Sequence, residues 1–145
     1  MYTDLSSTGN TLICNKHLMV PTKSFHMVTN RQEVTMIAHE FLLCTKVPDS
    51  IGSINSYKDE LVFIDDDFVL NNHIPFLSVK MYHNSIGNIA FGLNYYGITI
   101  LDDRMAEELK RELINFCSDC DDLQKLVRVL NQAIEQKRYI IHFGV

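Results

Sequence analysis

Four cysteines, six histidines and three consecutive aspartates are the residues of this chain that could carry chemistry. Cys117-Ser-Asp-Cys120 has CxxC spacing, but it follows a helix and has neither a second CxxC nor a histidine pair at zinc-finger spacing. It is read as incidental. The histidines at 17, 26, 39, 73, 83 and 142 never pair at i, i+4, and His39-Glu40 lacks the second histidine of a zincin helix. His142 lies in an apolar strand and is read as a hydrogen-bonded core histidine. Asp65-Asp66-Asp67 could approach a divalent cation, but consecutive strand residues alternate sides and converge poorly. A solvated turn is the reading there, with a partner-binding acidic knob as the alternative. Glu108-Leu-Lys110 and Glu135-Gln-Lys137 have the ExK spacing of metal nucleases. Both fall on predicted helices, where a nuclease needs a strand. There is no G-x-S-x-G elbow and no glycine-rich phosphate loop. No metal, no cofactor and no enzymatic activity are expected.

The elements around these residues read as one α+β domain spanning residues 1–145. A chain of this length buries roughly two-thirds of its unfolded surface, enough for a core without staples. The expected architecture is a mainly antiparallel sheet with about three helices and the C-terminal strand in the sheet interior. In Arg138-Tyr-Ile-Ile-His-Phe-Gly-Val145, Tyr139, Ile141, Phe143 and Val145 fall on one side, and Ile140 and His142 on the other. Apolar residues on both sides mark a strand buried on both faces.

Upstream, Thr11–Cys14 and Ser24–Val28 read as short strands. Val34, Ile37, Ala38 and Phe41 sit at i, i+3, i+4 and i+7 and predict a helix over 30–43, though the β-branched and aromatic content leaves a strand open. Residues 45–58 carry loop chemistry, and Leu61–Ile64 is a short strand. A hairpin is expected from Phe76–His83, with Leu77, Val79 and Met81 facing in, through the turn Asn84–Gly87, to a return strand. The alternation slips at Tyr96-Gly97, which signals a bulge or a tight Asn94–Gly97 turn. Two amphipathic helices follow, opened by Asp102 or Asp103 and separated at 119–121. Their stripes are Met105, Leu109, Leu113 and Phe116, then Leu123, Leu126, Val127, Leu130 and Ile134.

Charge is uneven: residues 59–101 sum to −4 and 102–122 to −5, within a net −5. An acidic centre does not suit a nucleic-acid binder. It suits a basic protein partner, or serves solubility alone. No apolar run reaches membrane-span length and no secretory leader is visible, so a cytoplasmic protein is expected.

The segment Tyr95-Tyr-Gly-Ile-Thr-Ile-Leu101, the two helices, and Lys137-Arg-Tyr-Ile-Ile-His-Phe-Gly-Val145 together resemble bacterial contact-dependent growth inhibition immunity proteins, in particular those paired with RNase toxins. The likeness covers about 50 of the 145 residues. It implies a small, non-catalytic, cytoplasmic protein, monomer or weak dimer, that binds a basic toxin domain and blocks its active site or substrate path. Two surfaces suit that role. One is the loop with Tyr57, beside Asp59, Glu60, Asp65, Asp66 and Asp67. The other is the helix connection with Asp119, Asp121 and Asp122. An acidic secretion chaperone of the type III kind is the alternative.

Overall fold

The computed structural model describes residues 24–29, 32–47 and 61–145, with side chains from Ile37 onward. Their chain order is β1 (Ser24–Thr29), β2 (Gln32–Cys44), β3 (Leu61–Asp65), α1 (Asp66–Asn71), α2 (His73–Leu77), β4 (Lys80–His83), β5 (Ile89–Phe91), β6 (Ile98–Leu101), α3 (Asp103–Phe116), α4 (Asp121–Gln136) and β7 (Tyr139–Phe143). The strands form an antiparallel sheet in the order β1-β2-β7-β6-β4-β5, with β3 also on β2. This is the expected α+β domain. The C-terminal strand is interior: β7 runs between β2 and β6.

The helix predicted over 30–43 is instead the 13-residue strand β2. The physical reason is burial on both sides. From Ala38 to Cys44 every residue is buried, so the apolar positions satisfy a helical spacing without being a helical stripe. Three strands then compete successfully for its backbone. β1 pairs along residues 32–37, and β3 and β7 along its second half.

Side chains of β2, β6 and β7 alternate between two cores. Phe41, Leu43, Leu101 and Ile140 join the larger one, under the helices. Leu42, Cys44, Ile141 and Phe143 form a smaller one on the opposite face, with Leu61, Ile98 and Tyr139 against it. The two faces read from the sequence for the last strand are therefore the observed ones.

α3 and α4 cover the larger core with Ala106, Leu109, Leu113, Leu126 and Leu130, all fully buried. Each of these leucines contributes about 1.5–3 kcal/mol relative to exposure. Asp102 is the N-cap of α3, its carboxylate accepting the Met105 N–H at 2.9 Å. Phe116, expected in the stripe, is 53% exposed because the helix ends there. Val127 and Ile134 are only partly buried, while Val129 and Ala133 face in.

The short helices α1 and α2 replace the expected turn after Ile64 and the first part of the expected strand at Phe76. Leu77 accordingly ends a helix and is exposed, whereas Val79 and Met81 face in as expected. The hairpin is real but short, Lys80–Tyr82 against Ile89–Phe91. The phase slip resolves as a tight turn, with the Gly97 N–H donating to the Asn94 carbonyl at 3.1 Å. Thr11–Cys14 and most of the 45–58 loop lie outside the described residues.

Candidate functional site: a buried histidine row and an acidic rim

The sheet places one row of polar side chains under the helices. Thr99 and His142 are cross-strand partners on β6 and β7, and His142 faces Phe41 of β2. His39, two residues before Phe41 on the same face, reaches His142 diagonally. The two imidazoles stack with centroids 5.0 Å apart, and neither they nor Thr99 touch solvent.

The hydrogen bonds form a continuous chain. His39 Nε2 lies 2.9 Å from Asp66 Oδ1, and His39 Nδ1 lies 2.8 Å from His142 Nε2. His142 Nδ1 lies 3.2 Å from Thr99 Oγ1, which accepts the Asn94 N–H at 2.7 Å. The Tyr95 hydroxyl donates to Asp66 from the other side.

Chemistry fixes the direction of this chain. A carboxylate only accepts, so His39 must hold its hydrogen on Nε2. In a neutral ring Nδ1 then accepts, so His142 donates from Nε2. His142 Nδ1 accepts in turn from the Thr99 hydroxyl. Every hydrogen points toward Asp66, and all four ring nitrogens are engaged. Burial holds His142 well below the ordinary histidine range, with His39 and His83 adding to the effect. Burial likewise pushes the Tyr95 phenol well above its ordinary value, helped by its bond to Asp66.

The turn that carries Asn94 and Tyr95 also holds Gly144 and Val145. The Gly144 N–H donates to the Gly97 carbonyl at 2.8 Å, and the Val145 N–H to the Tyr95 carbonyl at 2.9 Å. A Cβ on Gly144 would lie 2.0 Å from the Tyr95 oxygen, so only glycine fits against this turn.

The second feature is the acidic surface. Asp65 ends β3 and caps α1, its carboxylate accepting the Asp67 N–H at 2.8 Å. Its own N–H donates to the Asp122 carboxylate of α4 at 3.3 Å. This contact joins the aspartate triplet to the helix connection, which the sequence left as separate surfaces. Asp67, Asp119 and Asp121, close to Asp65 or Asp122 in sequence, are exposed. Lys125 lies 3.5 Å from Asp122 and is half exposed. Asp66 departs from the expected surface role, because its carboxylate turns inward to His39 and Tyr95 and is 18% exposed. Tyr57, Asp59 and Glu60 lie outside the described residues.

The remaining candidates behave as follows. Cys117 and Cys120 are free thiols, and Cys44 is buried. Burial and the neighbouring Cys120 push the Cys117 thiol up, away from easy ionisation. Among the described residues no group of three or more His, Cys, Asp or Glu is placed to hold a metal ion, and no helix is long and apolar enough to cross a membrane.

The pairing of His39 with His142 was the feature missed from sequence. Its signal was partial: His142 interrupts an apolar strand, whereas His39 stands beside Glu40 in a mostly apolar segment. Reading residues 30–43 as a helix separated them. In comparisons with known proteins, no family model, no curated protein and no solved structure matches this chain.

Proposed function

We propose that this protein is an immunity protein that binds and neutralises the toxin domain of a contact-dependent inhibition effector, with the acidic rim as its docking surface. The observation that carries this reading is the contact between the Asp65 N–H and the Asp122 carboxylate. It merges two acidic segments, distant in sequence, into one rim bearing Asp65, Asp67, Asp119, Asp121 and Asp122. An RNase must be basic where it holds phosphate, so a carboxylate rim can occupy the same ground and steer the encounter. The first-turn acids of α4 lie at the end of the helix that favours negative charge, so placing them there costs the fold little. The histidine row supports a non-catalytic reading: its four ring nitrogens are committed to one another, to Asp66 and to Thr99, and both rings are closed to solvent.

The test is co-expression. A toxin domain encoded immediately upstream should kill the host alone and be harmless with this protein. An Asp67→Lys/Asp121→Lys variant should protect poorly while remaining cooperatively folded, its melting temperature lowered only by the two lost helix-dipole contacts. Full killing in the presence of the folded natural protein would refute the reading.

A further inference from the structure

We propose that the Thr99–His142–His39–Asp66 row is an acid-responsive switch that takes up one proton, never two, and answers it by reversing the direction of its internal hydrogen bonds. The inference rests on geometry. Two imidazoles joined by a 2.8 Å nitrogen–nitrogen hydrogen bond need one donor and one acceptor between them. A doubly protonated pair would aim two N–H groups at each other inside the core, where no water screens them. A single proton fits. It adds at His142 Nδ1, while His142 passes its Nε2 hydrogen to His39 Nδ1. The charge then rests on His39 beside the Asp66 carboxylate, 2.9 Å away. His142 is left neutral with its hydrogen on Nδ1, now donating to Thr99 Oγ1.

This reversal has a structural consequence at Thr99. Its oxygen then accepts from both His142 and the Asn94 N–H, and its own hydrogen must swing away from His142. Asn94 opens the turn that receives Gly144 and Val145. The switch therefore acts on the clasp that holds the last residues to the sheet. Among the described residues, the titratable and charged groups around the row are Asp66 and Asp67 of α1, Tyr95 before β6 and His83 of β4. The His83 Nε2 is engaged with the Gly92 carbonyl at 2.7 Å. Asp66 is the carboxylate hydrogen-bonded to His39.

The test is side-chain nitrogen NMR of the natural chain from pH 8 downward. At pH 8 both rings should be neutral with hydrogen on Nε2. On acidification both should change with one shared midpoint, His39 becoming doubly protonated and His142 moving its hydrogen to Nδ1. The Asn94 and Thr99 amide signals should move with the same midpoint. Tyr95→Phe, which frees Asp66 of a donor and leaves its charge to His39, should shift that midpoint upward. Three results would overturn the proposal: two separate midpoints with both rings charged, no change before the acid unfolding transition, or a Nδ1 hydrogen on His142 already at pH 8.

Discussion

At the scale of single residues, the polar core is the most exacting part of the molecule. Thr99→Val keeps the shape but leaves His142 Nδ1 and the Asn94 N–H without a partner. It should cost about 2–3 kcal/mol, measurable by urea unfolding. His142→Phe strands both His39 and Thr99 and should cost more, about 3–5 kcal/mol. Stability should also depend on pH with a definite sign. The folded chain holds His142 neutral well below the ordinary range. The unfolded chain protonates it below about pH 6.5. The contribution is therefore present above that pH and lost as pH falls, by at most about 1.4 kcal/mol per unit for one excess proton. Unfolding at pH 7.5, 6 and 5 should reveal this slope, and His142→Gln should flatten it. His142 was legible as a core histidine because it interrupts an apolar strand. Its partner was not, because pairing across 103 residues leaves no local trace.

At the scale of elements, local signals succeeded where one face alone is buried. α3 and α4 carry one apolar stripe each, with acids in the first turn, and both were readable to within a residue or two. β2 failed because burial on two faces erases alternation, and its helical spacing was accidental. The short α1 and α2 failed because six and five residues are too few to show a period. The turn from α4 into β7 offers a test of backbone energetics. Lys137 sits there in the left-handed region, φ 51° and ψ 52°, a conformation that favours glycine. Its side chain is largely exposed and its pair with Asp103 is worth little. Lys137→Gly should raise stability by up to about 1 kcal/mol, seen as a higher melting temperature. Gly144→Ala should do the opposite, because its methyl would collide with the Tyr95 carbonyl. A loss of about 1–3 kcal/mol is expected, with exchange broadening in the 94–97 turn.

At the scale of the whole molecule, β7 closes the structure. It fills the gap between β2 and β6 and contributes to both cores. Removing Ile141–Val145 should unfold the chain, so circular dichroism of the truncated form should show no cooperative melt. Its interior position was legible from apolar character on both faces, whereas the strand order was not, since pairing is decided by tertiary fit. The acidic rim makes a separate prediction for partner binding. Its affinity for a basic toxin domain should fall steeply between low and physiological salt, with the change mainly in association rate. A salt-independent association rate would count against steering by Asp67, Asp119 and Asp121.

The position of β7 also sets a timetable. β2 emerges from the ribosome 103 residues before the strand that completes it, as the His39–His142 contact measures. At roughly 5–20 residues per second, that is a wait of about 5–20 s. Throughout it, an apolar strand with one edge unpaired is open to wrong neighbours. Nascent chains of this protein should therefore lean on holding chaperones during synthesis, and arrested ribosomes should release aggregation-prone fragments.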